Sequence, residues 1–224
     1  MKNVVRTRRV EIVDEKGKTR AVLGVTEEGL GLWLRDEKGK ARAELSLNRV
    51  GAGLYLLNER GKGRAMLGVA GDVPALALWN EKGRIGALLG ASMTGSGLVL
   101  NDQKGKLRAK LAMVEDQPGL TLFDEKGKPR VNLEMTAEAA PQALTNEKGK
   151  PKAGLGTSAA EPELTLSDGN CSARAVLTVT RGNGPELVLF DGEGRARAGL
   201  SLPVGDPGLD LFDDKGRRIW SPQE

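Results

Sequence analysis

The sequence predicts an all-β protein built as a tandem array of ten two-strand repeats, and three observations carry that prediction. An Asp or Asn recurs at 14, 36, 58, 80, 102, 124, 146 and 168, a step of 22 residues, and then at 191 and 213 after a one-residue slip. A glycine follows three residues later at 17, 39, 61, 83, 105, 127, 149, 194 and 216, and Cys171 takes its place once. On both sides of this element apolar residues recur with a period of two. Self-similarity at a fixed interval of this size marks a stacked repeat architecture. Residues 1–224 therefore read as a single repeat array in which each unit touches mainly its neighbours.

Each repeat is numbered here from its Asp or Asn as zero. At minus two stand Ile12, Leu34, Leu56, Leu78, Leu100, Leu122, Leu144, Leu166, Leu189 and Leu211, and at minus four a similar series that runs from Val10 and Leu32 to Leu209, broken only by Gln142. Alternation of this kind is a strand with one apolar face. After the turn, plus seven is Ala21, Ala43, Ala65, Ala87, Ala109, Val131, Ala153, Ala175 and Ala198, and plus nine is leucine from Leu23 to Leu200. Val25, Leu47, Val69, Met113 and Val179 extend the pattern to plus eleven. This is a second strand, again with one apolar face.

The link between the two strands, Asp36-Glu37-Lys38-Gly39-Lys40 in the second repeat, fits a type I turn. Its fourth residue takes positive φ, where glycine meets no steric penalty, and the leading Asp or Asn bonds the backbone. The second link reads as longer and ends in Pro-Gly, Pro-Glu or Gly-Leu, as in Asp116-Gln117-Pro118-Gly119 and Gly205-Asp206-Pro207-Gly208, with proline expected to stop the strand ladder. The single insertion lies within Arg181-Gly182-Asn183-Gly184-Pro185 of this link, where extra length is tolerated most easily.

Parity decides how the strands are arranged. In a hairpin with a glycine bulge in its loop, residues whose offsets sum to four face each other, so Leu34 would pair with Arg42 and the two apolar sets would point to opposite sides. A β-arch places both sets inside. The expected architecture is thus an elongated two-sheet β-solenoid, with an antiparallel hairpin ladder and an intertwined trimeric β fibre as the alternatives. One repeat buries roughly five apolar side chains, worth about 1.5 to 3 kcal/mol each for the larger ones, against about 1 to 2 kcal/mol of backbone entropy per ordered residue. No repeat folds alone, and stacking has to supply the remaining burial.

If the leucines face a core, the opposite face carries Trp33, Tyr55, Trp79, Phe123, Phe190 and Phe212, one or three residues before the Asp. They form a candidate interaction strip for a carbohydrate or for another copy of the chain; scattered surface aromatics of good strand propensity explain them equally well. Arginine recurs at plus six as Arg20, Arg42, Arg64, Arg108, Arg130, Arg174 and Arg197, a candidate basic row for a polyanion. The acidic residues at zero and plus one recur as faithfully, so a solvated charged rim that blocks edge pairing is the preferred reading.

Catalysis has no support in the sequence. Histidine is absent, so Cys171 lacks an activating base. The carboxylates Asp14, Asp36, Asp102 and Asp124 belong to the repeated turn instead of forming a unique pair. No calcium loop, zinc spacing, phosphate-cradling loop or dinucleotide fingerprint occurs, so no cofactor or metal is expected. With Lys and Arg exceeding Asp and Glu by four, the surface is mildly basic and specific nucleic-acid binding is not expected. The chain runs from Met1 into the first repeat without an apolar segment of signal-peptide or membrane-spanning length, and so reads as a soluble protein with no location assigned. Gln142, Lys152 and Thr157 make the seventh repeat the most polar.

The stretch Pro118-Gly119-Leu120-Thr121-Leu122-Phe123-Asp124-Glu125-Lys126-Gly127-Lys128-Pro129-Arg130 resembles the repeats of viral and phage fibre shafts. There a Gly-Leu or Pro-Leu pair opens a short strand, a turn carries Asp and Gly, and a second apolar strand follows. It is also similar to repetitive bacterial proteins with Gly-Leu-x-Leu-x-Asp-x-x-Gly-x-x-Arg-Ala-x-Leu units. Shaft repeats of the triple β-spiral kind are shorter and less regular. The resemblance implies an elongated structural role, trimeric in the shaft case, and it supplies no functional residue. Together with the residues it leads to the expectation of a non-enzymatic structural protein that assembles with itself, with a carbohydrate- or polyanion-binding module as the alternative.

Overall fold

A computed structural model describes all residues except 1–3, 5, 94, 115, 136–141, 159–160, 204 and 222–224. Part of the N-terminal lead-in and Pro222 thus lie outside the described residues. The chain divides into two compact units, Met1–Arg108 and Ala109–Glu224. Each is an all-β meander, and the chain crosses from one to the other inside a strand of the fifth repeat.

The first unit contains β1 (Arg9–Val13), β2 (Thr19–Val25), β3 (Gly29–Arg35), β4 (Ala41–Asn48), β5 (Gly51–Leu57), β6 (Gly63–Ala70), β7 (Val73–Trp79), β8 (Ile85–Ser92) and β9 (Gly95–Asn101). After β10 (Leu107–Val114) the second continues with β11 (Gln117–Phe123), β12 (Pro129–Glu134), β13 (Gln142–Thr145), β14 (Pro151–Ser158), β15 (Glu161–Ser167), β16 (Ala173–Thr180), β17 (Gly184–Phe190), β18 (Ala196–Ser201), β19 (Gly208–Phe212) and β20 (Arg218–Trp220). Within each unit consecutive strands pair antiparallel. Among the described residues β1 pairs only with β2 and β20 only with β19, so neither unit closes into a barrel.

The ten two-strand repeats are therefore present, and of the three arrangements considered it is the antiparallel hairpin ladder that forms. The two-sheet solenoid is corrected by one residue. After Arg35 pairs with Ala41, the next pair is Leu34 with Ala43, which leaves Arg42 as a bulge. The same shift recurs in the other hairpins, between Leu56 and Leu57, Leu78 and Trp79, Leu122 and Phe123, and Leu189 and Phe190. Offsets beyond the bulge sum to five, not four, so minus two meets plus seven and minus four meets plus nine. Directly paired residues share a face, and both apolar sets now lie on one side of one sheet. The chain needs no arch to bring them together.

Several links between repeats are shorter than the sequence suggested, while residues 202–207 keep the β18–β19 link long. Thr26 and Gly29 exchange both backbone hydrogen bonds around Glu27-Glu28, a two-residue hairpin loop. Pro207 does stand outside the ladder, just before β19, but at other links proline does not end it. Pro118 pairs with Met113 and accepts a bond from the Met135 amide, and Pro185 pairs with Val179 and accepts from Leu202. Pro74, Pro118, Pro162 and Pro185 each sit as the second residue of their strand, near the rim of the ladder, where the N–H they lack would have joined only the end of the next strand.

Strands contact only their neighbours in sequence. Among the described residues each unit is a single layer, and none of its own strands packs over either face of its sheet. Among the described residues only Ala21, Val22 and Ala77 are buried apolar side chains. Leucines expected inside a core are exposed instead, Leu45 at 52% and Leu67 at 58%.

Candidate functional site

The repeated turn fixes its own geometry. In Asp36-Glu37-Lys38-Gly39-Lys40, the Asp36 carbonyl accepts from the Gly39 amide and the Asp36 amide donates to the Lys40 carbonyl, both at 2.9 Å. The Asp36 carboxylate oxygen Oδ1 accepts from the amides of Lys38 at 2.9 Å and Lys40 at 3.0 Å. Asn58 does the same with its amide oxygen. Gly39 takes φ 78°, and Cys171 holds the equivalent place at φ 69°. Asp or Asn is needed at zero because a short side chain with an oxygen at this distance satisfies two otherwise unpaired amides. The donated amide of Lys40 holds the Asp36 carboxyl below the usual carboxylate range, with Arg42 adding to the effect. Asp14, Asp102, Asp124 and Asp213 are depressed in the same way, each led by the amide four residues on, and Asp191 most strongly. In Asp168 the amide of Asn170 leads.

Most of the arginine row forms cross-strand clamps. Arg20 Nε donates to the Arg35 carbonyl at 3.2 Å, Arg42 Nε to Leu57 at 3.1 Å, Arg130 Nε to Thr145 at 2.8 Å and Arg197 Nε to Phe212 at 2.9 Å. Arg64 donates to the Asn80 carbonyl, and Arg174 to the Asp168 carboxylate and to the Gly192 carbonyl. Several reach back to the turn carboxylate of their own repeat, Arg20 to Asp14 at 3.5 Å, Arg42 to Asp36 at 3.6 Å, Arg108 to Asp102 at 3.8 Å and Arg130 to Asp124 at 3.6 Å. These pairs are partly exposed, and exposed ion pairs contribute little. The carbonyl contacts matter more, since each joins one hairpin to the next. The bulge at plus six is what aims the arginine there.

The aromatic side chains lie on the face opposite the leucines, as parity requires, but all six are half-buried. Trp33 folds back over Gly31, where an added Cβ would stand 2.4 Å from the indole, and Tyr55 lies over Gly53 in the same way at 2.9 Å. Glu44 pairs with both Trp33 and Tyr55 and so stands between them. Trp79, Phe123, Phe190 and Phe212 occupy the position beside the bulge, paired with Ile85, Pro129, Ala196 and Arg218. Trp33, Tyr55 and Trp79 belong to the first unit and the three phenylalanines to the second. Within either unit the aromatics do not form a continuous strip.

The more exposed face is the leucine face. In the first unit one row runs Ile12, Ala21, Leu34, Ala43, Leu56, Ala65, Leu78, Ala87, Leu100, and beside it Val10 leads an unbroken series of leucines from Leu23 to Leu98. The second unit repeats both rows, interrupted by Gln142, which pairs with Leu133 and Leu155. No charged residue occupies this face at any directly paired strand position among the described residues; the bulged arginines stand at its rim, beside the turn carboxylates. Its signal was present in the sequence as the two apolar sets; what sequence reasoning missed was the bulge that unites them and the lack of a layer to cover them. Comparison with protein-family models and with curated protein sequences gives no match.

Proposed function

We propose that this chain is a non-enzymatic structural repeat protein, a scaffold of stacked hairpins that assembles with copies of itself. The observation that carries the reading is where the repeated polar groups are directed. The turn carboxylates accept from their own backbone amides, and most of the row arginines donate to carbonyls of the next hairpin. Residues that recur for such bonds are parts of the scaffold. The aromatic side chains over Gly31 and Gly53 fit the same use.

A carbohydrate- or polyanion-binding module predicts a different outcome. Heparin-column retention and a glycan array, run on the native chain and on a Trp33→Ala plus Trp79→Ala variant, separate the two. The scaffold reading expects no saturable ligand. Saturable binding that disappears in the variant would overturn it in favour of the binding module.

A further inference from the structure

We propose that the leucine face is an interface between two copies of this chain, packed face to face as a two-layered sandwich. The proposal deepens the self-assembling scaffold reading by naming the surface and the partner. Three observations support it. The face carries no charge at any directly paired strand position among the described residues, while many of its leucines stay about half exposed, Leu23 at 46%, Leu67 at 58% and Leu177 at 44% among them. Monomeric soluble proteins rarely expose a contiguous apolar patch beyond a few hundred Å², and here the patch extends along each unit.

The second observation is area. The chain exposes 16111 Å² at a mass of 23.8 kDa, where a folded monomer of that mass exposes about 9,900 Å². The excess is roughly 6,200 Å². A stable interface takes about 800 Å² from each partner, and obligate dimers take about 1,000 to 2,500 Å². Covering one leucine face falls well inside what this chain has to hide.

The third is shape. Strands lie about 4.8 Å apart, so in the row where leucine alternates with alanine a leucine recurs about every 9.6 Å. Each alanine leaves a gap one strand wide between two leucines. A second copy displaced by one strand sets its leucines over those alanines, and two such inner faces interdigitate at the usual sheet spacing of about 10 Å. The pattern matches itself, which argues for a second copy over a lipid surface, since a lipid surface has no use for a large–small alternation. The charged turns at the rim keep the ends of the strands in water.

The test is sedimentation equilibrium on the full chain and on Leu45→Lys plus Leu67→Lys, whose positions are already more than half exposed in the single layer. The native chain is expected at twice its chain mass. The double variant should fall twofold, to the monomer, with its far-ultraviolet β signal kept. Trp33→Ala plus Trp79→Ala and Glu44→Lys, on the opposite face, should leave the mass unchanged. A second measurement does not depend on the lysine variant folding. In a Cys171→Ser background, the thiol of Leu67→Cys should react with a maleimide at least tenfold more slowly than that of Glu44→Cys. A monomeric native chain, a dimer that survives the lysines, or equal thiol rates would each overturn the proposal, as would a monomer that floats with phosphatidylcholine vesicles. An assembly that survives the leucine-face lysines would keep the self-assembling scaffold and overturn this interface, a monomeric native chain would overturn both, and a leucine-face dimer that binds glycans saturably would refute the scaffold and keep this interface.

Discussion

Gly29→Ala and Gly39→Ala replace glycines of positive φ in the same hairpin, and the structure separates their costs. Gly29 opens β3 at φ 141°, and a Cβ there would stand 2.1 Å from the Leu47 carbonyl oxygen and 3.0 Å from the Asn48 Cα. Both neighbours are backbone held in the β3–β4 ladder, so they cannot rotate away. The first contact is more than 1 Å inside ordinary van der Waals distance. The backbone region itself costs a non-glycine residue about 1 to 3 kcal/mol. Adding the forced opening of the ladder brings Gly29→Ala to about 3 kcal/mol, even after the smaller unfolded-chain entropy of alanine returns about 0.4 to 1 kcal/mol. Gly39, at φ 78°, has nothing within 4 Å of its Cβ position. Its cost is the left-handed conformation alone, about 1 to 2 kcal/mol, reduced by the same entropy to about 1 kcal/mol. With a urea dependence of about 2 kcal/mol per molar, the midpoint should fall by about 1.5 M for Gly29→Ala and about 0.5 M for Gly39→Ala. The assay is urea unfolding followed by circular dichroism at fixed protein concentration. A Gly29→Ala midpoint equal to or above that of Gly39→Ala would refute the close-approach argument.

Other substitutions probe the turn and the clamps. Cys171→Gly should raise the urea midpoint, because Cys171 holds φ 69° without being glycine; the gain is about 0.5 to 1 kcal/mol after glycine's entropy is counted, and a lowered midpoint would show that the thiol compensates. Arg42→Gln removes the donor to the Leu57 carbonyl at 3.1 Å and should cost about 0.5 to 1.5 kcal/mol, whereas no change in midpoint would mean water replaces the clamp. Acid should weaken the fold, since the turn carboxyls are depressed in the folded state. Their contribution is complete above the unfolded value near pH 4 and is lost as pH falls through the lower folded values. Changing Asp14, Asp36, Asp102, Asp124, Asp168, Asp191 and Asp213 to Asn keeps the acceptor that Asn58 already uses and should flatten the urea midpoint between pH 7 and pH 2. An undiminished acid loss in that variant would place the titration elsewhere.

The fold was legible in the sequence wherever local chemistry decides it. The turn follows from Asp at zero and glycine at plus three, because a short acceptor and a residue of positive φ are what that backbone path requires. The strands follow from a period of two. The pairing of their faces was not legible, because a hairpin's parity changes with a single bulged residue, and Arg42 gives no local sign that it occupies one. The same gap affected the candidate site. Arg20, Arg42, Arg130 and Arg197 look like a basic row along the chain, and only the neighbouring strand reveals the carbonyls that occupy them. Trp33 and Tyr55 read as outward-facing, yet Gly31 and Gly53 give them room to fold back on the sheet.

By itself, the sequence determined that this is a ten-repeat β array, where each turn lies, and that leucines and aromatics occupy opposite faces, since these depend on contacts only a few residues apart. Tertiary structure alone decided that the leucine face is uncovered. Burial is a property of the layer above a residue, and alternation along one strand states which side is apolar but not whether anything lies against it.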